Sequence, residues 1–176
     1  MGMYMSYKEA DRAAIEQMIS RCGEESPSEN DFYDTSDFPE VLEVKEKCET
    51  CYLDKMWDGL HCLLTGVSTC APMKDNLLSE AVVGGDAFSD RGVYFVSYIS
   101  PERMPQILAA LNAFDLEGAL SAFSPEHFSQ EKIYPRIWLR DDKEELKQEL
   151  RAAFQILRDF YDRMAKKNKG VIISLY

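Results

Sequence analysis

Long apolar runs are absent from this 176-residue sequence, and no stretch approaches the ~18 consecutive apolar residues of a membrane-spanning helix. A basic-then-apolar leader is also missing from the first residues, so the expected location is cytoplasmic. Basic side chains are scarce: 20 Lys and Arg face 31 Asp and Glu, a net charge of −11. Phosphate backbones are held by clustered cations, so nucleic acid and anionic membranes are poor partners, whereas a basic protein partner fits. Histidine occurs only twice, which limits metal and acid–base chemistry. The five cysteines cannot all pair internally, and they read as free thiols of a reducing compartment. No Asn-x-Ser/Thr glycosylation signal occurs.

What remains is ordinary globular material, 45% hydrophobic and 29% charged. A chain of this length buries about 70% of its unfolded surface, so a core forms without metals or disulfides. Residues 2–7 read as a strand, and apolar positions from Lys8 onward recur at helical spacing until Gly23. Residues 23–40 hold seven acidic side chains, two prolines and no Lys or Arg, which predicts a solvated acidic loop. A short helix is expected over 38–47 and a firmer one over 53–65, closed by Gly66. The runs 81–83 and 93–97 read as strands. Ser100-Pro101 opens a helix to about 112, and shorter helices are expected over 115–123 and 125–130. The longest helix begins at Asp141–Asp142 and runs to about Lys167, and a strand from Val171 ends the chain. The predicted fold is α+β: one domain with a small mixed sheet of about four strands packed with several helices.

The helix over 53–65 carries the most chemistry. Leu53, Trp57, Leu60 and Leu64 share an apolar face. Asp54, Asp58, His61 and Thr65 share a second, polar stripe. His61 beside a carboxylate can serve as a general base, or as one ligand of a metal. The sequence shows neither a nucleophile nor a third ligand, so a structural His61 that caps the helix and bonds Asp58 is the favoured reading. Cys48-x-x-Cys51 has redox or half-zinc spacing, but no second close pair accompanies it. Gly84-Gly85 lacks the Lys and Ser/Thr of a phosphate loop and reads as a tight turn. Tyr134 and Trp138, beside Pro135, are candidate pocket walls.

Several segments together resemble the YfbM-like family of bacterial proteins, a domain of unknown function. They are Met1-Gly2-Met3, the string from Leu53 through Trp57-Asp58-Gly59-Leu60-His61 to Gly66, Val83-Gly84-Gly85, and Ile133-Tyr134-Pro135 with Trp138. The passage from Val93 to Pro101 and the terminal helix and strand complete the match. The resemblance implies one YfbM-like domain over 1–176, mixed α/β in fold, with no activity, substrate or cofactor to carry over. It marks Trp57, Gly59, His61, Gly84, Gly85, Tyr134 and Trp138 as recurrent positions. The sequence departs from that pattern at Asp58, where relatives often carry a second histidine, which tells against a two-histidine metal site.

Two functions follow as expectations. The first is a non-enzymatic, protein-binding or regulatory domain, of inhibitor or immunity type, with a basic partner and no cofactor or metal. The second is a hydrolase-like enzyme of a small ligand, with His61 as base, Asp58 or Asp54 orienting it, and Trp57, Gly84, Gly85, Tyr134 and Trp138 lining the pocket. The second reading requires these groups to converge on one cleft.

Overall fold

The computed structural model describes residues 2–24, 48–89 and 95–175. The acidic loop expected at 23–40 falls almost wholly outside the described residues, and the short helix expected at 38–47 does so entirely. Five strands are described: β1 (Met5–Ala10), β2 (Thr50–Tyr52), β3 (Asp86–Ser89), β4 (Phe95–Ile99) and β5 (Gly170–Leu175). They form one sheet in the order β2-β1-β5-β4-β3. Every neighbouring pair is antiparallel, so the sheet is not mixed, and it has one strand more than expected. The α+β class holds.

The last strand is central because both of its faces are covered. Val171 and Ile173 point into the main core, and Ile172 points to the opposite face. There it meets Ala10, Val96 and the helix α1 (Arg12–Glu24) through Ile15 and Met18. A strand buried on both faces reads as a continuous apolar run, as Val171-Ile172-Ile173 does.

The remaining described helices are α2 (Trp57–Thr65), α3 (Leu77–Val83), α4 (Met104–Ala113), α5 (Leu116–Ala122), α6 (Pro125–Gln130) and α7 (Lys143–Lys167). α7 is amphipathic: Leu146, Leu150, Phe154, Leu157, Tyr161 and Met164 are all buried. The Asp142 side chain caps its start by accepting from the backbone N–H groups of Glu144 and Glu145, and left-handed Asn168 ends it. α2 starts four residues later than expected, because Asp54 sits in a turn at φ 44°. Its end is as expected, with Gly66 at φ 83° donating to the Cys62 carbonyl.

The run 81–83 is not a strand. It is the last turn of α3, which starts where Asn76 accepts from Leu78 N and Ser79 N. The final carbonyls of a helix lack partners within it. Here the Tyr161 hydroxyl donates to Ala81 O at 2.6 Å, Tyr7 to Val82 O at 2.9 Å and Ser97 to Val83 O at 2.6 Å. Three hydroxyls from the sheet and α7 thus allow an apolar helix end to be buried. Gly84 follows at φ 81°, and a Cβ there would lie 2.3 Å from Ser97 Oγ.

Candidate functional site

The residues expected to share one cleft separate into a core cluster and two clefts. Trp138 is buried, and its Nε1 donates to Ile133 O at 2.8 Å. Trp57 is buried against Tyr134, with ring centroids 5.5 Å apart and planes at 28°. Neither tryptophan lines either of the two clefts described below.

The polar stripe of α2 is largely an anchor for loops. Asp58, only 3% exposed, accepts from Thr69 N at 2.7 Å, Thr69 Oγ1 at 2.9 Å, Ser68 Oγ at 3.0 Å and Tyr134 N at 2.8 Å. Thr65 donates to the His61 carbonyl at 2.7 Å. Asp54 is exposed on its turn and takes no part in these bonds.

His61 is 0% exposed and does not hydrogen-bond Asp58. Its Nδ1 lies 2.8 Å from Val67 O, a group that only accepts, so Nδ1 carries the proton. Nε2, 2.8 Å from Ser79 Oγ, is then the acceptor, and the serine hydroxyl donates. Both expectations for His61 therefore change: it neither bonds Asp58 nor opens onto a pocket with Tyr134 and Trp138. Burial lowers its pKa from the ordinary 6.5, while the Val67 bond and the Asp58 charge act in the opposite sense.

A pH dependence follows. The unfolded chain binds a proton more readily than buried His61, so protonation from about pH 6.5 down to the folded value favours unfolding. Thermal melts are expected to show a loss of stability between about pH 7.5 and pH 5 that is smaller in His61→Gln, which cannot titrate. Equal losses in both proteins would show that His61 contributes nothing to the pH dependence.

The first cleft, of about 870 Å³, is lined by Gly2, Tyr4, Tyr52, Asp54, Lys55, Tyr134, Pro135, Glu149 and Ile156 among others. Tyr52 is 55% exposed and Ile156 49%. The Tyr134 hydroxyl, accepting from Met3 N at 3.0 Å, holds the N-terminal segment against the groove. Lys55 Nζ lies 5.8 Å from the centroid of the Tyr4 ring. Asp54 and Glu149 have no ion-pair partner among the described residues. The groove therefore combines exposed aromatic faces with two carboxylates that the single lining cation, Lys55, offsets only in part.

The second cleft, of about 720 Å³, has a lining of mixed polarity. Gly84 and Gly85 line it, together with Ser79, Glu80, Tyr98 and Arg103. Arg103 donates twice to the buried Glu80 carboxylate, at 2.8 and 2.7 Å. This fork holds α4 against α3. Sequence reasoning missed Ser79 and Arg103, because their partners lie 18 and 23 residues away.

Two of the described cysteines offer little chemistry. Cys51 lies in β2, and burial pushes its thiol up to about 12; Cys62 is pushed up likewise to about 12. A Cys51 in a strand, so disfavoured as a thiolate, does not suit a redox pair. Among the described residues, no group of three His, Cys, Asp or Glu side chains is placed to hold a metal. No described helix is long and apolar enough to cross a membrane.

A family model, "Domain of unknown function (DUF1877)", matches residues 1–174. The chain belongs to this family. Protein YfbM of Escherichia coli K12 is 28% identical over 144 residues, covering 82% of this chain and 80% of YfbM. A crystal structure of YfbM from Escherichia coli, described as a protein of unknown function, superposes with a TM-score of 0.77 at 20% identity. That match covers 98% of this chain and 99% of the other, and it shows that this DUF1877 chain has the YfbM fold.

Proposed function

We propose that this DUF1877 domain is a cytoplasmic regulatory module of inhibitor or immunity type, and that its tyrosine-lined groove acts by binding a basic segment of a partner protein. The supporting observation is the coincidence, in one groove, of exposed Tyr4, Tyr52 and Ile156 with the carboxylates of Asp54 and Glu149, which form no ion pair among the described residues. Aromatic faces attract Lys and Arg through their quadrupoles, and nearby carboxylates add Coulomb attraction. Lys55 Nζ already lies over the Tyr4 ring, 5.8 Å from its centroid, so a partner's cation is directed to Tyr52. The net charge of −11 steers a basic partner toward the domain and repels a second copy of it.

Affinity capture at low and high salt tests this reading. A stoichiometric basic partner is expected at low salt and is released at high salt, since exposed charge pairs are screened. Tyr52→Ala is expected to weaken that complex about tenfold, a loss of 1–2 kcal/mol, without lowering the melting temperature. No partner at either salt, or a partner indifferent to Tyr52→Ala and Glu149→Lys, would overturn the assignment.

A further inference from the structure

The second cleft carries a different chemistry, independent of the groove. Ser79 stands at its inner wall, and the bonds around Ser79 have a fixed polarity. The Val67 carbonyl accepts from His61 Nδ1–H, so His61 Nε2 accepts from Ser79 Oγ–H, each at 2.8 Å. A serine hydroxyl donating to the free nitrogen of a histidine, with the other ring nitrogen held by an acceptor, is the arrangement of a nucleophile, its base and the group that orients the base. We infer that Ser79 is an acyl-accepting nucleophile with His61 as its general base, acting on small carboxylic esters that enter the cleft bounded by Glu80, Gly84 and Arg103.

The step balances within these groups. Ser79 Oγ bonds to the acyl carbon while its proton passes to His61 Nε2. The bond from that carbon to the ester oxygen then breaks, and the departing alcohol takes the proton from His61. Water repeats the sequence, releasing the carboxylic acid and restoring Ser79. The imidazolium formed in transit is supported by the Val67 carbonyl and the neighbouring Asp58 charge. At neutral pH burial keeps His61 in its basic, uncharged form.

Ser79 is 1% exposed, so entry requires the segment 70–75 to lift. The segment's recorded hydrogen bonds are Cys70 N to Ser68 Oγ at 3.2 Å, Ala71 N to Ser68 O at 3.0 Å, Met73 N to Ser79 Oγ, and Asn76 Nδ2 to Met73 Sδ at 3.7 Å, and of these only the Met73–Ser79 bond ties the segment across the cleft. The Met73 side chain is itself 42% exposed. The cost of burying a histidine is also informative, because a glutamine would tie the same loop without titrating.

The experiment is reaction of the native full chain with a small alkyl fluorophosphonate, followed by intact mass measurement and peptide mapping. One adduct per chain is expected, on Ser79, with loss of fluoride. It is expected to be absent in Ser79→Ala and slowed about 100-fold or more in His61→Gln, whose fold is checked by circular dichroism. Met73→Gly, which loosens the covering segment while leaving both reacting groups, is expected to speed labelling several-fold. Labelling is also expected to slow in acid as His61 is protonated. A native protein unmodified at Ser79 even in Met73→Gly overturns the inference. So does labelling that proceeds at the same rate in folded His61→Gln, since a merely structural hydrogen bond makes no demand on the base.

Discussion

Asp58→Ala is expected to lower the free energy of unfolding by about 3–5 kcal/mol, and the melting temperature of a domain of this size by roughly 8–15 °C. The carboxylate gathers three separated pieces of chain: its own helix, the Ser68-Thr69 loop, and the backbone of Tyr134, 76 residues away. Two of its donors are backbone N–H groups, which have no alternative partner in the structure once the carboxylate is gone. Each buried donor left unpaired costs about 1–3 kcal/mol, and the small alanine leaves space that the loops fill only in part. Asp58→Asn separates charge from shape. Its amide oxygen still accepts from Thr69, but its NH2 group meets the donors of Ser68 or Tyr134, so an intermediate loss of about 1–3 kcal/mol is expected. Thermal and urea unfolding of both variants measure this. An alanine variant within about 1 kcal/mol of the parent would show that water replaces the carboxylate, and that these loops are held by packing alone.

The distance over which Asp58 acts also explains what was legible in the sequence. Features that depend on neighbours within one or two turns were readable: the Asp142 cap, the buried stripe of α7, the Gly66 cap of α2, and the final strand. Features decided by distant partners were not. Ala81-Val82-Val83 reads as a strand because three apolar residues carry no period, and what makes it a helix end is hydroxyls from Tyr7, Ser97 and Tyr161. His61 and Asp58 lie one turn apart, and that spacing suggested a bond. The actual partner is Ser79, delivered by a helix whose existence rests on Asn76. The groove was half visible. Tyr134 and Asp54 were singled out, whereas Tyr4, Tyr52 and Glu149 come together only through the β1–β2 pairing and the packing of α7. Ile156 did leave a local trace: it is apolar yet lies off the buried stripe of α7, where a core-facing helix carries polar residues.

The same long-range logic gives Trp138→Ala the second large effect, a loss of about 3–5 kcal/mol by truncation of a buried aromatic. Its ring is 2% exposed and meets Phe128 edge-on at 4.8 Å and Phe123 at 6.1 Å, between α5, α6 and α2. On the remaining side lies Gly59, where a Cβ would sit 2.5 Å from the ring's Cη2, so the glycine is fixed by the indole rather than by backbone conformation. Removing the ring opens a cavity bounded by rigid aromatics, and these relax poorly because each is held by the others. It also removes the Nε1 donor from the Ile133 carbonyl, next to the Tyr134 backbone that Asp58 grips. Trp138→Phe is expected to recover more than half of the loss, since it refills much of the space and sacrifices chiefly that hydrogen bond. The decisive measurement is the double variant Gly59→Ala with Trp138→Ala. The added methyl enters the vacated space instead of clashing, so the pair is expected to be less destabilised than the sum of its single changes by about 1–3 kcal/mol. Strict additivity would mean that Gly59 and Trp138 do not share this contact.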